Sequence, residues 1–168
     1  MDITELNFPL TDSSVLKDLR LNQTVYISGI VYTARDAAHK KLVEMLRRSE
    51  DPPFCFNGAA VFYAGPCPAR PGSACGSIGP TTSGRMDAYS PFLIERGLRF
   101  MIGKGGRNKE VADAIERHGG LYLSAIGGAA ALTAKCVERS EIVAFPELGT
   151  EAVRKLWVRN ILAVVTIS

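Results

Sequence analysis

The feature that most narrows the fold of this chain is a repeated switch between short apolar runs and helical stripes, punctuated by glycine. Ala59 to Tyr63 is a short apolar run with the length of a buried strand. Met86 to Arg96 reads as a helix with Phe92, Leu93 and Ile94 inward, stopped at Gly97. Phe100-Met101-Ile102 returns to a strand, and Asn108 to His118 is a helix closed by Gly119-Gly120. Leu121 to Ile126 is the next strand. Strands separated by helices pair in parallel, because such a crossover carries the chain back to the same end of the sheet.

The flanks extend this pattern. Thr24 to Thr33 is β-rich with partial alternation, and Asp36 to Arg48 forms a helix with Leu42, Val43, Met45 and Leu46 as its apolar stripe. Gly127 to Leu132 suits a short, tightly packed helix, and the β-branched tail from Val153 to Ile167 suits closing strands. Gly65 to Gly79, with Pro66, Pro68, Pro71 and the approach to Pro80, is a long loop of the kind that usually carries function. No repeat, low-complexity tract or linker divides the chain. The expectation is one α/β domain over residues 1–168, with a partly parallel central sheet and extra strands at both ends.

Charge excludes more than it suggests. A formal net charge of +3 over 168 residues is too small to point to nucleic acid or to an anionic membrane. Arg35, Lys40, Lys41, Arg47 and Arg48 cluster locally, as the wet face of a helix does. No apolar run has the length of a membrane span, and the acidic start Met1-Asp2-Ile3-Thr4-Glu5 is unlike a signal peptide, so a cytoplasmic setting is expected. Cys55, Cys67, Cys75 and Cys136 form no C-x-x-C and have no closely spaced histidine, so they are expected to be plain buried or loop residues rather than ligands or a disulfide.

The chemistry concentrates in Gly79-Pro80-Thr81-Thr82-Ser83-Gly84-Arg85-Met86-Asp87 and in Gly103-Lys104-Gly105-Gly106. Both fall at strand-to-helix junctions, where open α/β sheets bind their ligands. Thr81, Thr82 and Ser83 suit either a capping turn or an anion site, since both use the free amides of a helix start. Arg85 adds a planar fork for a carboxylate. Gly84 and Asp87 read as structural, through close approach and first-turn charge. Lys104 lies in a glycine-rich turn that permits close backbone approach to a ligand. A P-loop is excluded, because Gly103-Lys104 is followed by Gly105 rather than Ser or Thr, and the G-x-G-x-x-G frame is missing. His118 stands at a helix C-terminus, as a dipole partner does, whereas His39 begins near Arg35 and is a candidate proton carrier.

Taken together, Gly79 to Asp87, the upstream Arg35-Asp36-Ala37-Ala38-His39-Lys40 and the downstream Gly103-Lys104-Gly105 resemble the iron–sulfur-dependent class I fumarase and L-tartrate dehydratase family. The resemblance is to the β subunit, equivalent to the C-terminal region of the single-chain enzymes. Phe145-Pro146-Glu147-Leu148-Gly149 and Glu151-Ala152-Val153 fit the same family's ending. It implies a three-layer β/β/α swivelling-type domain and a partner α subunit that holds a [4Fe–4S] cluster through three cysteines, in a hetero-oligomer of α2β2 type. It also implies a four-carbon dicarboxylate substrate, with fumarate and L-malate as the leading pair and L-tartrate as the rival. By the same resemblance Thr81 is the catalytic base, and Arg35, Thr82, Arg85 and Lys104 bind substrate. A stand-alone anion-binding module of the same fold is the reading from another class. A dianionic substrate needs several cations to offset its desolvation, and Arg35, Arg85 and Lys104 supply them.

Overall fold

The computed structural model describes residues 3–126 and 128–168. It is mixed α/β, with seven strands in one sheet and several helices. The strands are β1 (Thr4–Phe8), β2 (Thr24–Thr33), β3 (Ala60–Phe62), β4 (Phe100–Gly103), β5 (Leu121–Ala125), β6 (Val137–Ala144) and β7 (Val153–Ile167). The α-helices are α1 (Asp36–Arg47), α2 (Ser90–Glu95), α3 (Lys109–His118) and α4 (Ala130–Lys135).

The sheet order is β1-β2-β3-β4-β5-β7-β6. Neighbours from β1 to β5 run parallel, and every pairing of β7 is antiparallel. At 15 residues β7 is long enough to lie along β2 from Thr24↔Val164 to Thr33↔Arg154 while its end also pairs with β5. The ladders therefore run from β2 through β3, β4, β5 and β7 back to β2, and the sheet closes on itself.

Two cores follow from the strand period of two. Ala60 and Phe62 of β3, Ile102 of β4, Leu121 and Leu123 of β5 and Leu156 of β7 belong to one buried cluster, walled by strands. Their alternates Val61, Met101 and Tyr122 belong to a second cluster, which includes Leu42 of α1, Leu93 and Ile94 of α2, and Val111 and Ile115 of α3. With both faces covered, β3 to β5 read as continuous apolar runs rather than as alternating ones.

The expected strands at 59–63, 100–102 and 121–126 and the helices at 36–48 and 108–118 are in place within a residue or two. Others differ. The helix expected over Met86–Arg96 begins only at Ser90, after a 3-10 turn at Ser83–Met86. Pro91 explains this, since it lacks the amide that a continuous helix would direct to residue 87. In the expected helix at 127–132, Gly127 lies outside the described residues, and α4 starts at Ala130 and runs to Lys135. The tail is a single long strand, not several. Among the described residues no helix is long and apolar enough to cross a membrane, and all four cysteines are free.

Parallel pairing sets β2, β3 and β4 to end on one side. Arg35 follows β2, Tyr63 and the long loop follow β3, and Lys104 follows β4. The motifs that the sequence separates meet at this edge.

Candidate active site

The Thr81–Arg85 segment and the Lys104 turn are stitched together through the backbone. Thr81 N–H donates to Tyr63 C=O at 2.7 Å, and Lys104 N–H donates to Thr81 C=O at 3.3 Å. Ser83 N–H donates to Lys104 C=O at 2.9 Å, completing a parallel bridge between Thr82 and Lys104. Thr81 is thus held by its main chain at the carboxyl edge of the sheet, with its side chain left out of that ladder. Gly103 makes the fit possible. A Cβ there would stand 2.0 Å from Ser83 Oγ and 2.8 Å from the Tyr63 ring.

The Arg35-Asp36 pair joins the same edge. Arg85 Nε donates to Asp36 Oδ1 at 2.9 Å, which ties the threonine segment to the start of α1. The Arg35 side chain passes over Gly65, where an added Cβ would lie 3.2 Å from Arg35 Cδ and 2.6 Å from Thr150 C=O. Arg35 Nε and Asp36 Oδ2 are both buried without a hydrogen-bond partner. Thr82 and Lys104 are exposed, and the Arg85 side chain keeps 52% of its surface accessible. The site is an open face rather than a closed pocket.

His39 supports this edge from within. It is buried on α1, edge-on to Tyr63 with ring centroids 5.2 Å apart. Its Nδ1 lies 2.9 Å from Arg35 C=O, and a carbonyl can only accept, so Nδ1 carries the proton. Burial pushes its pKa down to about 4, with the nearby Arg107 charge acting the same way and the bond to Arg35 partly opposing. His39 is therefore a neutral ring that anchors the Arg35 main chain.

A buried polar network behind the site was not found from the sequence. The Arg107 side chain is fully buried. It donates to Asp87 Oδ1 at 2.7 Å, Ser90 Oγ at 2.7 Å and Tyr63 Oη at 3.2 Å. Asp87 Oδ2 accepts from Asn108 N–H at 2.8 Å. Burial alone would lower the Arg107 pKa, but Tyr63 and Asp87 hold it above its ordinary value. The Tyr122 hydroxyl sits 2.7 Å from Gly105 C=O and 2.8 Å from Ser83 Oγ. A phenol has one proton and the carbonyl can only accept, so Ser83 donates to Tyr122. The available signal was the pair of tyrosines in apolar strand runs, because a buried phenol needs a polar partner.

Several readings change accordingly. Thr82 occupies the N-cap position of the 3-10 turn but makes no side-chain capping bond, and Ser83 Oγ is used by Tyr122. Capping does not account for these hydroxyls. Gly84 is exposed and makes no close approach, since its Cβ position is 3.9 Å from the nearest atom. Asp87 is the partner of Arg107 rather than a first-turn charge. The basic cluster splits. Arg35 Nε is buried, Lys41 pairs with Glu147, and Arg47 lies over the Phe92 ring. The start of α1 is capped by Glu151, which accepts from Ala37 N–H at 3.3 Å. Among the described residues no three His, Cys, Asp or Glu side chains gather to hold a metal, so they offer no ligand set for an iron–sulfur cluster.

Comparison with known proteins gives relatives over nearly the whole chain. The chain is 42% identical over 145 residues to fumarate hydratase 2 of Leishmania major, covering 85% of this chain and 26% of that protein. It is 39% identical over 168 residues to the aerobic class I fumarate hydratase of Salmonella typhimurium, covering 97% and 29%. A protein of Methanocaldococcus jannaschii provisionally named L(+)-tartrate dehydratase subunit beta is 42% identical over 161 residues, covering 93% and 83%. The chain thus spans between a quarter and a third of the fumarate hydratases it matches. The Fumarase C-terminus family model matches residues 3–168. With its motifs gathered at one sheet edge, and matched almost from end to end, this chain belongs to the Fumarase C-terminus family.

Proposed function

We propose that this chain is the β subunit of a [4Fe–4S]-dependent hydro-lyase that interconverts fumarate and L-malate, and that it supplies the proton-transfer and dicarboxylate-binding half of a shared active site. The observation that carries the reading is the meeting of three motifs distant in sequence, through the Thr82–Lys104 bridge and the Arg85–Asp36 ion pair. The described residues offer no ligand set for the cluster, and we assign it to a partner α subunit, in an assembly of α2β2 type. When bound there, it supplies a Lewis-acidic iron toward the substrate hydroxyl and carboxylate. The two cores suit a three-layer β/β/α swivelling-type domain occupying residues 1–168. Four free cysteines suit the reducing cytoplasm.

In this reading Arg35, Arg85 and Lys104 bind the substrate carboxylates, and Thr82 contributes a hydroxyl to them. Thr81 removes the proton from the carbon beside a carboxylate in the dehydration direction and returns it in hydration. Negative charge grows on that carboxylate as the proton leaves, so fixed cations favour the transition state over the bound ground state. Among the described residues no side chain hydrogen-bonds the Thr81 hydroxyl.

A second reading, β subunit of L(+)-tartrate dehydratase, is favoured by the 42% identity over 161 residues to the Methanocaldococcus jannaschii protein. Assay of the reconstituted complex on fumarate, L-malate and both tartrate enantiomers decides between them. Within that complex Thr81→Ala lowers kcat by about 100-fold or more, whereas Lys104→Ala acts mainly on KM. Unchanged turnover in Thr81→Ala removes Thr81 from the proton step.

A further inference from the structure

At the opposite end of the sheet from Lys104, where β3, β4 and β5 begin, lies a cavity of about 340 Å³. Arg96 and Arg99 line it together with Thr11, Ser13 and Asn57. No carboxylate lines it. Among the described residues neither arginine enters an ion pair. Arg99 Nε is buried without a hydrogen-bond partner. Arg96 is held in place, its guanidinium 3.3 Å above the Phe92 ring centroid and donating to Phe92 C=O at 3.1 Å.

We propose that this cavity binds a phosphate monoester, at a site separate from the candidate active site. Two arginines outside any ion pair, in a lining without a carboxylate, suit an anion, and a phosphate monoester carries about −1.5 to −2 near neutral pH. Its three oxygens can engage the arginine forks and the hydroxyl and amide donors together, which a single carboxylate cannot do. Leu10, Leu16 and Phe100 on the remaining wall suit the carbon body of an ester rather than free phosphate. The cavity touches the loops that lead into β3, β4 and β5, so occupancy bears on the same strands that carry the active-site edge at their other end.

The test is calorimetric titration of the full chain at low ionic strength with glycerol 3-phosphate, inorganic phosphate and succinate. Glycerol 3-phosphate should saturate one site, at least about threefold more tightly than either of the others. Arg99→Gln should weaken it at least tenfold, and Arg85→Gln should leave it within about twofold. Should Arg99→Gln fail to fold, Asn57→Asp places a carboxylate in the cavity and should abolish binding instead. Four results overturn the proposal. They are no saturation below about 10 mM, equal affinity for inorganic phosphate, equal affinity for succinate, or binding that survives Asn57→Asp. Loss of binding in Arg85→Gln with retention in Arg99→Gln would place the anion at the candidate active site and overturn it equally.

Discussion

At His39 burial decides both the chemistry and a measurable property of the whole chain. The ring is enclosed and neutral, with a pKa near 4 in the fold against an ordinary value of 6.5. Between those values the unfolded chain binds the proton and the folded chain does not. Stability therefore falls as pH drops through that window and is fully present above it. The full shift is worth about 3 kcal/mol. Urea midpoints measured from pH 7 to pH 4 should decline accordingly, beyond any trend shared by the surface groups. His39→Gln should be less stable at pH 7 and lose most of that slope. An unaltered slope in the variant would mean that His39 is not the titrating group. The sequence placed His39 beside Arg35 and left open a role as proton carrier. What it could not show is enclosure, which depends on Tyr63 and Tyr89 arriving from other elements.

Elements in this chain are joined by side chains as much as by ladders, and the Arg107–Asp87 pair is the main case. It fastens the start of α3 to the segment between the 3-10 turn and α2, with Tyr63 and Ser90 completing the donors and acceptors. Removing one member leaves the other charge buried, which typically costs about 3–5 kcal/mol. Arg107→Met should therefore destabilise the chain strongly in denaturant unfolding. The double variant Arg107→Met/Asp87→Leu should recover part of the loss, because no lone charge remains. If the two single losses simply add, the pair is not coupled.

Such pairings mark the limit of what is legible in the sequence. The period of β3, β4, β5 and α3 is local, so those elements could be located to within a residue or two. Pro91 was equally visible, yet the apolar stripe at Phe92-Leu93-Ile94 masked its power to delay the helix start. Asp87 and Arg107 are twenty residues apart with nothing local to link them. Glu151 caps α1 from the far end of the chain, and only the closed sheet brings it there. By contrast the candidate residues Arg35, Thr81, Arg85 and Lys104 stand in motifs whose spacing is local, so the sequence alone could single them out.

At the scale of the molecule the candidate site is an open face, which the proposed function makes half of an enclosure. Its cations lie at one edge of the sheet, with Lys104 exposed and Arg85 half-exposed. In water such charges hold a dianion weakly and are screened by salt. Proton transfer beside a carboxylate needs those same charges in a dry surround, where each interaction is several times stronger. The chain spans only a quarter to a third of its fumarate hydratase relatives, and the proposed function assigns the cover to an α subunit. The isolated chain should therefore bind succinate only weakly, with an affinity that falls as salt rises, and should not hydrate fumarate. Adding an α subunit should tighten dicarboxylate binding, reduce its salt dependence and bring turnover with it. Hydration of fumarate by the isolated chain would show that the site is complete without a partner. Turnover in the complex with no change in the salt dependence would show that the partner does not close over Arg85 and Lys104.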